Sequence, residues 1–431
     1  MKGIRLKQQY YYFLKFFFIL TLILVVTTSK AYALEEPKLE DSVSAAILMD
    51  AKSGQILYAY NPNVGLPIAS TTKIMTGLLV LEHANLDASV VVSENAARIE
   101  GSKIYLEPGE VHRVEDLLYA MLLNSANDVA TCLAEYVGGG SLNVFIEMMN
   151  QRALSLGALN THFNNPTGLT EDGHYSTAYD LALITREALQ NPQFRKIVAT
   201  RTRPWVGKNH QGTLLNLNRL LGKYPGLTGV KTGYTVAAQK CLVASAEREG
   251  QELISVILGS GNAIWQQSEA LLDYGFASYK PSLLVEANQV ISHLDLSKKR
   301  SVNLLASRSL QVSLPRNRDL TLVPQIQVES GLTPPLSAGM VAGYLIYEIE
   351  GQPLEPIPLL IAEDVPKEGL FQSAVVTRTT PIVLTAGGLL VFSRLIGRRR
   401  ALKRRRLRRR SSSQYRRRYS RRDDRDYYYR P

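Results

Sequence analysis

The stretch Leu66-Pro67-Ile68-Ala69-Ser70-Thr71-Thr72-Lys73-Ile74-Met75-Thr76 sets a serine and a lysine three positions apart at the head of an apolar run. Ile74, Leu78 and Leu81, flanked by Met75 and Leu79, recur at helical spacing behind Pro67. This predicts a mostly buried helix beginning near Ser70. Residues three apart on a helix share a face, so the Lys73 amine is expected beside the Ser70 hydroxyl. A serine hydroxyl is a poor nucleophile until a neighbouring base takes its proton. Lysine does so only when desolvation or a second cation lowers its pKa. Taken alone, the stretch also reads as a helix cap at Ser70 with Lys73 solvated in the first turn.

Two more short motifs follow in order, Ser125-Ala126-Asn127 and Lys231-Thr232-Gly233. Arg113–Leu123 reads as a helix, Asn124–Asn127 as a break, and helix resumes up to Gly138-Gly139-Gly140. A Ser125 hydroxyl projecting from that break is placed to relay a proton between Lys73 and a departing amine. Asn127 is suited to hold Lys73 and to donate to a substrate carbonyl. Gly229–Thr235 reads as a strand whose Lys231 and Thr232 are suited to grip a carboxylate, while Gly233 lets substrate approach the backbone. Lys231 is also the second cation that Lys73 requires. Separately these motifs also read as an ordinary turn and a strand end; together and in order they point to a serine acyltransferase.

Outward from the motifs, Val43–Asp50 and Gln55–Tyr60 read as a hairpin turning at Lys52-Ser53-Gly54. Phe145–Leu156, Ala178–Gln190 and Ala263–Tyr279 read as helices, the last closed by Pro281. Asn160–Tyr175 reads as loop, and Lys240–Glu247 with Glu252–Gly259 as a second hairpin. Helices bracketing a mostly antiparallel sheet make an α/β catalytic domain over residues 34–281. Beyond it, the strand-like runs Val302–Ala306, Leu310–Leu314, Leu320–Val323, Ile326–Glu329, Ala342–Glu348 and Pro358–Ile361 predict a small all-β sandwich domain over 282–370.

The net charge of +12 is concentrated at the two ends. Residues 398–431 hold 17 Lys or Arg against 3 Asp, and residues 1–33 hold five basic residues and no acid. The middle is therefore mildly acidic, and nucleic-acid binding is not expected. A basic stretch, the apolar run Phe16–Val26 and Ala31-Tyr32-Ala33 read as a signal peptide over 1–33. Over residues 379–397, Pro381–Gly397 is apolar except for Arg394 and, with Thr379 and Thr380, is just long enough to cross a bilayer. With the basic run behind them they read as a spanning anchor, or else as a helix on the membrane surface, ahead of a low-complexity basic tail over 398–431. Cys132 and Cys241 sit in apolar segments and are expected to be buried free thiols. The histidines show no HExxH-like spacing, so neither a metal nor a cofactor is expected.

The three motifs resemble those of low-molecular-mass penicillin-binding D,D-carboxypeptidases. So do Ser125-Ala126-Asn127-Asp128, Gly229-Val230-Lys231-Thr232-Gly233-Tyr234-Thr235, Ile104-Tyr105-Leu106, Asn165-Pro166-Thr167-Gly168-Leu169, His174-Tyr175-Ser176-Thr177 and Cys241-Leu242-Val243-Ala244-Ser245-Ala246. The resemblance runs from Val43 to Tyr279 and more loosely to Lys367. It implies a penicillin-binding/β-lactamase-like α/β fold, with peptidoglycan stem peptides as substrate and β-lactams as inhibitors, acting outside the bacterial cytoplasmic membrane. It implies Ser70 as nucleophile, Lys73 as base and Ser125 as third catalytic residue. Substrate would be held by Lys231, Asn127, Thr232 and Gly233, with an oxyanion hole of the Ser70 and Tyr234 amides. Thr167 departs from the family, whose members often carry histidine there. The alternatives are a serine β-lactamase, whose E-x-x-L-N arrangement is missing between Ser125 and Lys231, and a non-catalytic wall-binding module.

Overall fold

The computed structural model describes residues 35–39, 42–209, 211–297 and 300–367. The expected signal peptide, membrane segment and basic tail lie outside the described residues. Among those described, no single helix is long and apolar enough to cross a membrane.

The central sheet is antiparallel throughout. It comprises β1 (Ala45–Asp50) and β2 (Ile56–Tyr60), which form the expected hairpin, and β7 (Leu227–Thr235), β8 (Gln239–Arg248) and β9 (Gln251–Ser260). The order is β2-β1-β9-β8-β7, so β1 pairs with β9, more than 200 residues away. Between β2 and β7 lie two small hairpins, β3 (Ser89–Val91) with β4 (Val111–Arg113) and β5 (Thr202–Val206) with β6 (Gln211–Leu215).

Both faces of the sheet are covered, as the side-chain alternation of its strands records. Ala45, Ile47 and Met49 of β1, Cys241 and Val243 of β8, and Ile254, Val256 and Leu258 of β9 face one core. Opposite them, Ala46, Leu48, Leu242, Ala244, Ala246, Leu253 and Ile257 enter a second core with Leu271, Leu272 and Phe276. That second cover is α8 (Ile264–Ser278). The first is built from α1 (Lys73–His83), α2 (Glu94–Arg98), α3 (Val114–Asn124), α4 (Asn127–Val137), α5 (Leu142–Ser155), α6 (Ala178–Ala188) and α7 (Pro192–Val198). Local chemistry starts several of these helices. Thr177 accepts the Asp180 N–H, and Asn191 caps α7 ahead of Pro192. Cys132 and Cys241 are buried free thiols, as expected.

The second domain is all-β. Strands β11 (Val290–Ser297), β12 (Arg300–Ala306), β14 (Gln325–Val328), β15 (Val341–Ile346) and β18 (Ile357–Ile361) form an antiparallel sheet in the order β11-β12-β18-β15-β14. Strand β10 (Tyr279–Val285) pairs with β13 (Leu310–Pro315), and β16 (Glu348–Ile349) with β17 (Gln352–Pro353). Two readings need correction. Leu320–Val323 is not a strand; it precedes β14 as irregular chain with Val323 75% exposed, so it lacks a buried face. Pro281 lies inside β10, which begins at Tyr279, because the helix has already ended at Ser278.

Ser313 of β13 plugs into the catalytic domain. Its hydroxyl donates to Asp50 and accepts from Gln251 Nε2 at 2.7 Å, and its N–H reaches Gln55 Oε1 at 3.1 Å. Asp50 is also held by the amides of Lys52 and Ser53, so the buried carboxylate is fully engaged. Among the described residues, 332–338 and 364–367 group as a separate unit. In its described part, Leu336 and Val365 exchange backbone hydrogen bonds.

Candidate active site

Ser70 sits in a tight 3-10 turn, Ala69–Thr72, that runs directly into α1. The Thr71 hydroxyl donates to Ile68 O at 2.6 Å and the Thr72 hydroxyl to Ala69 O at 2.9 Å, which holds the turn. His174 supports it from behind. Its Nδ1 accepts the Asn164 N–H at 3.1 Å, so Nε2 carries the proton toward Thr72 Oγ1, 2.9 Å away. Burial, then the charges of His162 and Lys73, pushes this imidazole down to about 4, so it stays neutral.

Lys73 opens α1 and is fully buried. Its Nζ donates to Ser70 Oγ at 3.0 Å, Asn127 Oδ1 at 2.7 Å and the Thr167 carbonyl at 2.6 Å. All three acceptors are neutral, so no salt bridge holds the proton. Burial first, and the charge of Lys231 second, drives the Lys73 pKa well below the ordinary lysine value, with Asp128 opposing. Ser125 occupies the break between α3 and α4 with φ +62°. Its hydroxyl accepts from Lys231 Nζ at 3.0 Å, and Lys231 also donates to the Thr232 carbonyl at 2.9 Å. Lys231 is 1% exposed, and burial lowers its pKa to about 7. Ser125 therefore pairs with Lys231, while Asn127 is the residue linked to Lys73. The Asn127 Nδ2 donates to Glu100 O at 2.7 Å.

Two glycines permit this convergence. A Cβ on Gly233 would stand 3.0 Å from Ser70 N and 3.1 Å from Ile68 O, so β7 and the Ser70 turn touch backbone to backbone. Gly168 is tighter, with φ +83° and a Cβ that would fall 1.9 Å from Ala69 O. Its loop is folded around Asn165 Oδ1, which accepts from Thr167 N, Thr167 Oγ1 and Gly168 N. Thr76 Oγ1 adds a bond to Pro166 O at 2.7 Å. Thr167 is buried with its side chain turned into this loop. What reaches Lys73 is the carbonyl, which any residue type at this position supplies.

The groove beside Ser70 is about 320 Å³ and is lined by Ser125, Thr232, Gly233 and Tyr234 of the expected set. Sequence reasoning missed Ser102, Arg219, Lys240 and Trp265, which also line it. The Arg219 guanidinium lies 5.9 Å from the Trp265 ring. It is a cation on the groove wall with no motif around it to announce it. The Asn165–Leu169 phrase carried the signal for the Thr167 and Gly168 contacts, but without a chemical role attached.

Comparison with known proteins agrees with this architecture. Residues 30–262 match the D-alanyl-D-alanine carboxypeptidase family, and residues 279–367 match the C-terminal domain of penicillin-binding protein 5. The D-alanyl-D-alanine carboxypeptidase DacF of Bacillus subtilis is 34% identical over 79% of this chain and 91% of its own length. DacC of Escherichia coli is 33% identical over 79% of this chain and 89% of its own length. The crystal structure of penicillin-binding protein 5 from Haemophilus influenzae, at 30% identity, superposes with a TM-score of 0.66 over 78% of this chain and all of that one. Two-domain coverage by sequence and by fold, around a groove where three separated motifs meet, has one consequence: this chain belongs to the D-alanyl-D-alanine carboxypeptidase family.

Proposed function

We propose that this enzyme removes the terminal D-alanine from peptidoglycan stem peptides through an acyl-enzyme on Ser70. One observation carries the reading. Lys73 is buried, 3.0 Å from Ser70 Oγ, and bonded to no carboxylate, so burial lowers its pKa toward the neutral amine that a general base requires. Once neutral, Lys73 donates to Asn127 and Thr167 only and accepts the Ser70 O–H, taking its proton as Oγ attacks the carbonyl of the penultimate D-alanine. The amides of Ser70 and Tyr234 are assigned to the developing oxyanion, a reading supported by the close approach of β7 to the Ser70 turn at Gly233. Collapse breaks the peptide bond, and the departing amine takes a proton through Ser125, charged by Lys231 behind it. Thr232 and Arg219 supply the hydroxyl and the cation of the groove wall for the terminal carboxylate, with the buried Lys231 behind them. Asn127 positions the acyl side through Lys73. Water then hydrolyses the ester, its proton passing through Ser125 to Lys231 while Lys73 returns its proton to Ser70 Oγ.

A β-lactam offers the same carbonyl in a ring. Its amine stays tethered after opening and keeps water from the ester, so a long-lived adduct is expected. Intact-mass spectrometry with a D-Ala-D-Ala peptide and then with penicillin tests the reading. The peptide should lose one D-alanine, and penicillin should add one adduct. Persistence of the adduct in Ser70→Ala refutes the assignment of the nucleophile.

Membership of a cell-wall peptidase family supports a reaction outside the cytoplasm. We extend this to export by residues 1–33 and anchoring by 379–397. Deleting Pro381–Pro431 should then release active enzyme into the medium; enzyme that stays with the membrane fraction counts against the anchor.

A further inference from the structure

Asp128 follows the second motif directly, is fully buried in the first turn of α4, and has no part in the chemistry above. Its Oδ2 accepts the N–H of Leu106 at 3.1 Å and of Ile104 at 3.2 Å, and its Oδ1 accepts the N–H of Val129 at 3.0 Å. Its neighbour Asn127 donates its backbone N–H to Ser102 O at 2.7 Å and its side-chain amide to Glu100 O at 2.7 Å. Bonds to Glu100, Ser102, Ile104 and Leu106 thus strap every second residue of one loop onto the start of α4. The loop is moulded to fit. A Cβ on Gly101 would stand 2.5 Å from Asn127 Nδ2, and Tyr105, between the two amides that Asp128 holds, has φ +62°. A non-glycine residue stays there only when its surroundings enforce it. The loop's Ser102 lines the groove.

Each group bonded to the Asp128 carboxylate is an N–H donor, so an amide in its place would turn an NH2 against one of them. Burial raises the Asp128 pKa and the backbone N–H groups of Leu106, Ile104 and Val129 oppose that rise. Charged or titratable groups facing Lys73 are Lys231 from β7, Asp128 from α4 and the neutral His174 from the loop before α6. Facing Asp128 are Lys73 and the Cys132 thiol one turn along α4, which burial pushes up to about 12 and keeps protonated.

We propose that Asp128 is a positioning residue for acylation, its carboxylate templating the loop that carries Ser102 into the groove and its charge partly offsetting that of Lys231 at the Lys73 amine. The inference rests on the acyl-enzyme reading of Ser70 and Lys73. Stopped-flow acylation of the full-length wild type and Asp128→Asn by a fluorescent penicillin, across about pH 5 to 10, tests it. The variant should acylate roughly tenfold more slowly at its plateau, from the displaced loop. Its acid limb should also move to lower pH, since Lys73 without a facing carboxylate holds its proton less tightly. A merely structural residue would slow the plateau and leave the limb in place. A folded variant within about twofold of wild type, or one with an unmoved limb, overturns the inference. Wild type that takes no penicillin sinks the reading beneath it first, which keeps the two failures apart. Should Asp128→Asn fail to fold, amide exchange on the wild type decides. After correction for intrinsic rates, Ile104 and Leu106 should lose protection together as acid protonates Asp128. Protection that does not change with pH refutes the latch.

Discussion

Replacing Lys231 with methionine should make the protein more stable near neutral pH and inactive. Lys231 is buried, and its pKa falls from 10.5 to about 7. At about 1.4 kcal/mol per pKa unit, keeping it in the folded state near pH 7 costs roughly 4 kcal/mol. The unfolded chain holds this proton up to its ordinary pKa, whereas the folded chain releases it near 7. The penalty is therefore complete below pH 7 and disappears as pH rises from there to 10.5. Methionine fills similar space without the charge but forfeits the bonds to Ser125 Oγ and the Thr232 carbonyl, worth about 1 kcal/mol each. The variant should gain about 2 kcal/mol at pH 7, and the gain should fade by about pH 9. Both tryptophans, Trp205 and Trp265, lie in the catalytic domain, so denaturant unfolding followed by their fluorescence reads this domain. Relief of the Lys231 charge on Lys73 acts in the same direction, so the pH trend cannot reverse from that source. A Lys231→Met protein that is less stable at every pH, or whose difference from wild type is flat with pH, would falsify the argument.

Gly168→Ala should slow penicillin acylation by about a hundredfold, because its methyl would fall 1.9 Å from Ala69 O and displace the Ser70 turn. A near-native rate would mean that the Asn165–Leu169 loop yields without moving Ser70. Lys73→Arg keeps the charge but accepts no proton, and should abolish acylation in the folded protein; an active Arg variant would place the base elsewhere. Arg219→Ala should raise KM about tenfold for peptides ending in a free carboxylate and leave C-terminally amidated peptides unchanged. Equal losses on both would assign Arg219 to the fold of the groove rather than to the carboxylate.

What could be read along the chain was whatever depends on near neighbours. Ser70 and Lys73 meet because three residues of helical rise bring side chains together, and that needs no knowledge of the fold. The β1–β2 hairpin, the break at Ser125 and helices α1, α3, α4 and α8 follow from periodicity, turn residues and caps, which are also local. The same rules miss short elements whose burial comes from elsewhere. Trp205 is the only buried residue in β5, so its strand lacks a pattern, and β10 accommodates Pro281 where a helix stop was read. Leu320–Val323 alternates like a strand but has no sheet to join.

The electrostatics of the site belong to the tertiary structure. The Lys231–Ser125 pair spans 106 residues and the Lys73–Thr167 contact 94. The second of these uses a backbone carbonyl, a ligand that leaves no trace in residue identity. Arg219 and Asp128 carry charges that sequence reads as ordinary surface and helix-start residues until the fold places one on the groove wall and buries the other. Residue types determined which chemistry was possible here. Burial decided which of those groups hold their protons, because desolvation of Lys73 and Lys231 exists only once two helices, one loop and one strand have closed around them.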